Sequence, residues 1–149
     1  GQAVIIDLGE GRDIHPRNKH DVAARLVRWA LAKDYGVKIP YRSPEYRSVA
    51  FAGGKATVTI DCFGSTLYAF DVDEARGFAV CGADRVWHWA KAKVVGPDRV
   101  EVSSDRVKEP VAVRYAWADN PVCNLYSKDG LPVTPFRTDD FPMITAPKP

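Results

Sequence analysis

Apolar and polar positions change rhythm twice along this chain. Ala3 to Leu8 (Ala-Val-Ile-Ile-Asp-Leu) is a short apolar, β-branched run, which predicts a buried strand. A loop with glycine and proline at its margins, Gly9–Pro16, interrupts it. The period then becomes helical. Val22, Leu26, Trp29 and Ala30 recur at spacings of four, three and one, while Asp21, Arg25 and Arg28 lie mostly off that face. Asn18 suits an N-cap, and Asp21 places a carboxylate in the first turn, against the positive helix end. The pattern predicts a helix over Lys19–Tyr35, stopped by Gly36 and Pro40.

After Pro44 the period falls to two. Tyr46–Ala52, Gly53-Gly54 and Lys55–Asp61 read as a hairpin, with Ala56, Val58 and Ile60 on one face and Thr57 and Thr59 on the other. Further strands are expected at Leu67–Asp71, Phe78–Cys81, Val86–Val95, Arg99–Ser103 and Pro110–Trp117. Turn chemistry separates them at Glu74–Gly77, Gly82–Asp84, Gly96–Asp98 and Ser103–Pro110. Short strands at this spacing predict an antiparallel β-sandwich, jelly-roll-like, over 44–140. From Asp119 on there are six prolines, which argue against a central strand and for an irregular strap, frayed after about Phe141.

The fold class expected is therefore mainly β, preceded at 1–36 by a strand–loop–helix remnant. One strand and one helix cannot close a doubly wound sheet. They read as the last unit of a larger α/β domain whose other strands are absent. The apolar edge of Ala3–Leu8 must then either repack on the sandwich or remain mobile. The chain starts at Gly1 without an initiator Met, and a processed or truncated chain is expected.

The 149 residues carry a net charge of +2, with Lys and Arg interspersed among Asp and Glu. No basic run suggests nucleic acid or an anionic membrane, and no apolar stretch is long enough to span a bilayer. Cys62, Cys81 and Cys123 form no CxxC and have no His at metal-ligand spacing, so buried free cysteines are expected. No metal site, phosphate loop or cofactor motif is present, and no cofactor is expected.

The loop between strand and helix carries the candidate chemistry. Asp13 and His15 stand two residues apart, and Pro16 pushes His15 toward extended backbone. The carboxyl end of a strand is where open α/β sheets place active sites. An Asp carboxylate there can orient an imidazole that takes a proton from a serine hydroxyl and returns it to a leaving group. From spacing alone, a plain turn ahead of a helix remains the commoner explanation.

Three separated stretches shift that balance. Asp7-Leu8-Gly9-Glu10 with Asp13-Ile14-His15-Pro16-Arg17-Asn18-Lys19 resembles the last catalytic block of the sialate O-acetylesterases, carbohydrate esterases of the SGNH-hydrolase superfamily. Pro110–Pro121 is similar to a later part of that family. So are Asn124-Leu125-Tyr126, Gly130-Leu131-Pro132 and Pro135–Asp139, in the same order. The resemblance implies that His15 is the catalytic histidine and Asp13 its acidic partner, in an α/β SGNH-hydrolase remnant at 1–36. One residue, Ile14, separates the pair, as in the sialate-esterase branch, where the general SGNH pattern has two.

The family's nucleophilic serine and its oxyanion-hole Gly and Asn lie upstream, and this chain has no counterpart. Gly64-Ser65-Thr66 reads as a strand-connecting turn rather than a nucleophile elbow. The chain is expected to be inactive alone. Its partners would be the missing N-terminal esterase portion and an O-acetylated sialic acid or related sugar. By analogy, the setting would be secreted, periplasmic or lysosomal.

Trp117, Asn124, Tyr126 and Arg137, with Tyr115, either line one side of a sugar site or pin the proline strap to the sandwich. Trp87 and Trp89 share one strand face, with His88 on the other, and either stack on sugars or pack internally. The alternative to an esterase fragment is a non-catalytic β-sandwich module that binds carbohydrate or braces a neighbouring domain.

Overall fold

The computed structural model describes residues 1–143 and 145–146. Among these are one helix, α1 (Lys19–Lys33), and ten strands. Strands β1 (Glu45–Ala52), β2 (Lys55–Asp61), β6 (Lys91–Val94) and β7 (Arg99–Ser103) form one antiparallel sheet in the order β1-β2-β7-β6. Strands β4 (Phe78–Cys81), β5 (Trp87–Trp89), β8 (Ala112–Tyr115) and β10 (Phe136–Arg137) form a second, ordered β10-β8-β4-β5. Strands β3 (Leu67–Ala69) and β9 (Leu125–Ser127) make a small third pair. The fold is the antiparallel sandwich that the period-two pattern predicts.

The Gly53-Gly54 hairpin forms as expected, because both glycines take positive φ, 58° and 76°, in a two-residue turn. Ala56, Val58 and Ile60 of β2 are buried with Val100 and Val102 of β7. Across the core they meet Phe78, Val80, Val113 and Tyr115. The rings of Phe78, Tyr115, Phe136 and Tyr46 stack in sequence at centroid separations of 4.8 to 5.6 Å, which ties β10 and β1 into the interior.

Three expectations are corrected. Ala3–Leu8 is not a strand. With no neighbouring strand to take up its amides, it lies irregularly on the sandwich, with Val4 buried and Ile6 against the core. The run Val86–Val95 is two strands, β5 and β6, in different sheets; the chain changes sheet at Ala90, whose amide donates to Phe78 O. The proline-rich strap contains β9 and β10, which pair at sheet margins, where proline neighbours are tolerated.

The strap is also held by charge. Arg114 on β8 grips Asp139 through Nε and Nη2, both at 2.8 Å, and the Asp139 side chain is only 1% exposed. The Arg114 hydrogen bonds hold the Asp139 carboxyl below the usual carboxylate range. Because the native value is depressed, this stabilisation is fully present above the unfolded Asp value of about 3.9. It is lost as pH falls from there through the native value. Asp139→Asn is expected to cost about 2 kcal/mol at neutral pH. It should also remove this contribution to acid unfolding, which melting curves at pH 7 and pH 3 would show.

Candidate functional site

Helix α1 starts where the capping residue predicts. The Asn18 side chain accepts from the Asp21 amide at 3.1 Å, and Asn18 Nδ2 donates to Asp21 Oδ2. The helix ends at Lys33, slightly short of Tyr35, and Gly36 turns away with φ +68°. None of its residues is buried, and Leu26 is about half exposed. Its predicted apolar face has no sheet beneath it. Polar contacts anchor it instead.

Those contacts centre on Asp7. Arg25 donates to both Asp7 carboxylate oxygens, at 2.6 and 2.7 Å, and to Val4 O at 2.6 Å. The Tyr126 hydroxyl donates to Asp7 Oδ2 at 3.2 Å. Arg28 adds a bond to Asp129 O, and the Trp29 indole donates to Gln2 O. One carboxylate therefore joins the N-terminal segment, the helix and β9. The loop bearing Asp13 and His15 is the chain between Asp7 and α1, so this clamp holds it at both ends.

Within the loop, Asp13 and His15 meet. Asp13 Oδ1 lies 2.9 Å from His15 Nδ1 and also accepts the His15 backbone N–H at 2.9 Å. The backbone bond first, and the ring bond second, hold the Asp13 carboxyl below its ordinary value. A carboxylate only accepts, so Nδ1 carries the shared hydrogen and the Nε2 lone pair is the free base. The His15 side chain is 79% exposed. Gly11 is pressed against Asn120: a Cβ there would stand 2.8 Å from Asn120 Nδ2. The loop and the segment Ala116–Pro121 line a common cleft of about 890 Å³.

The other candidate residues divide. Trp117, about half exposed, borders the cleft that contains Asp13. Arg137 lies with its guanidinium 5.7 Å from the Trp117 ring and donates to Phe141 O. Asn124 is buried, and its amide is fully engaged with backbone: Oδ1 accepts from Arg76 N, and Nδ2 donates to Phe70 O and Glu74 O. Tyr126 is the tether to Asp7, and Tyr115 is core. In the described chain, then, Asn124, Tyr126 and Tyr115 pin the strap, while Trp117 faces open space. Asp7 and Arg25 escaped sequence reasoning as a pair; the one hint was an Arg beside the helix's apolar stripe.

Burial sets the state of the cysteines and of two serines. Cys62, Cys81 and Cys123 are all free thiols, and burial raises each above the ordinary value, Cys62 to about 11. Alkylation by iodoacetamide at pH 7.5 is expected to be slow at all three until the protein is denatured, as mass spectrometry would record. Ser43 and Ser127 are buried, and Ser65 lies in the turn after β2, its amide bonded to Cys62 O. Among the described residues, no group of three or more His, Cys, Asp or Glu converges as a metal site. No helix among them is long and apolar enough to cross a membrane.

No curated protein sequence matches the chain. A crystal structure of a carbohydrate acetylesterase from Xanthomonas citri is similar to it at 47% identity and a TM-score of 0.90. That likeness covers 95% of this chain and 33% of the other, so the chain spans about a third of that protein's length. The family model described as the sialate O-acetylesterase C-terminal domain matches residues 47–140. These residues take in both four-stranded sheets and most of the strap, and on that match the chain belongs to the sialate O-acetylesterase C-terminal domain family.

Proposed function

We propose that this chain is the C-terminal portion of a serine-type carbohydrate O-acetylesterase and supplies the histidine and acid of its active site. The observation that carries this reading is the Asp13–His15 pair, joined at Nδ1 with Nε2 left free, on an exposed loop whose Asp13 borders an open cleft. In this reading residues 1–36 are the last unit of an SGNH-type hydrolase domain. Three observations support that. Ala3–Leu8 has strand-forming residues without a strand partner, the apolar stripe of α1 is uncovered, and the esterase likeness extends well ahead of residue 47.

The substrate would be an O-acetyl ester of sialic acid or a related sugar. His15 Nε2 takes the proton of a serine hydroxyl from the upstream portion as the serine oxygen attacks the acetyl carbonyl. It then gives that proton to the departing sugar oxygen. Water, deprotonated by the same nitrogen, releases acetate from the serine ester. Asp13 holds the tautomer and offsets the positive charge that His15 gains. Trp117 borders the space in which the sugar would lie.

The test compares this chain with the longer esterase that contains it, on an aryl acetate and on O-acetylated sialic acid. The longer protein is expected to release acetate and this chain to release none. Acetate release by the chain alone would place a nucleophile within it. Failure of the longer protein on both esters would remove the reaction class.

A further inference from the structure

A second groove, of about 720 Å³, lies on the outer face of the β4–β5–β8 sheet and is lined by Glu74, Arg76, Trp89, Arg114, Trp117 and Asn120, among others. Strand pairing explains how it forms. Trp89 stands opposite Ala79, which in turn stands opposite Arg114, and Ala79 is on the face away from Phe78 and Val80. A small residue therefore floors a trough with an indole on one side and a guanidinium on the other. The aromatic residues differ in what they touch. Trp87 is covered by Arg114, 4.1 Å from its ring, and by Phe141. Trp89 has no ring or cation partner among the described residues and is 77% exposed.

The groove is continuous with the cleft of the Asp13–His15 loop, since Trp117, Asn120 and Pro121 border both. We infer that this groove is a saccharide subsite, and that the substrate of the proposed esterase is an oligosaccharide whose neighbouring rings run over Trp117 to Trp89. The inference rests on the esterase reading. A pyranose presents a C–H face to an exposed indole and hydroxyls to flanking charged and amide side chains, and the trough offers both kinds of group. Its mixed rim, with Glu74 and Arg76 together, suits a hydroxyl-rich ligand better than a purely apolar one. Trp87 also borders the groove, but it is half-buried with Arg114 over its ring, which leaves Trp89 as the more open stacking face.

Binding by this chain itself tests the subsite without catalysis. Titrations with sialyllactose and with a neutral cello-hexasaccharide would be followed by tryptophan fluorescence and calorimetry, with the wild type, Trp89→Ala and Lys38→Ala, an exposed position outside both grooves. Saturable binding of either sugar is expected, weakened about tenfold or more by Trp89→Ala and unchanged by Lys38→Ala. Circular dichroism checks that the variants fold, and Trp89→Phe, which keeps an aromatic face, is expected to recover part of the affinity. Binding of neither sugar, or binding indifferent to Trp89, overturns the subsite. A Trp89-dependent change in sedimentation without sugar binding assigns the groove to a protein contact and overturns it as well. None of these outcomes bears on acetate release, so the subsite and the role of His15 fail separately.

Discussion

His15→Ala in the longer esterase proposed above is expected to lower kcat roughly 10⁴-fold on O-acetylated sugar, with KM little changed. In the proposed mechanism the imidazole is the group that exchanges a proton with the serine and then with the leaving alcohol. Its Nδ1 is already held by Asp13 at 2.9 Å, so removing it takes away base and acid together. Because the side chain is mostly exposed and outside the core, the melting temperature should move by no more than the equivalent of about 0.5 kcal/mol. A large activity loss would therefore not reflect unfolding. Asp13→Asn is the companion variant. An amide at position 13 can donate to Nδ1 and favour the opposite tautomer, so a loss comparable to that of His15→Ala would assign the acid's role to Asp13. Retained activity there would assign it elsewhere, and retained activity in His15→Ala would remove the histidine from the mechanism.

The second large effect is structural. Asp7→Ala is expected to cost about 3 kcal/mol, concentrated in residues 1–36 rather than spread over the sandwich. Arg25 and Asp7 are both only 11% exposed as side chains, so removing the carboxylate leaves a guanidinium largely buried with only Val4 O as acceptor. It also strands the Tyr126 hydroxyl. Hydrogen exchange should show protection lost in 3–8 and in α1, while β2, β4 and β7 keep theirs. Tyr126→Phe removes one hydrogen bond and should cost about 1 kcal/mol, and the two losses should not add, because the second variant acts through the first. Unchanged protection in Asp7→Ala would mean that the helix is held by something other than this clamp. In the complete esterase the same change is expected to impair acetate release, because the loop carrying His15 would lose the anchor on both sides of it.

Legibility in the sequence tracked the range of the forces involved. The capping of α1 by Asn18, the two-glycine hairpin and strands β4 and β7 depend on residues a few positions apart, and they formed where the pattern placed them. The Asp13–His15 contact is equally local and was legible for the same reason. Ala3–Leu8 had the composition of a strand, but strand formation needs a partner for its amides, and composition does not reveal whether one is present. Asn124 and Tyr126 were read as sugar contacts or pins with nothing to choose between them. Their partners, Phe70, Glu74, Arg76 and Asp7, are distant in sequence.

By itself, the sequence determined the class of fold, the main turns, the helix and the Asp13–His15 contact, since each is written in period, turn chemistry or close spacing. Only the tertiary structure decided that Asp7 joins helix, N-terminus and strap, that Val86–Val95 divides between two sheets, and that Trp87 is covered while Trp89 stands free. Those outcomes depend on which distant residues arrive opposite one another. Burial and pairing across the sandwich are collective, and no window of neighbouring residues encodes them.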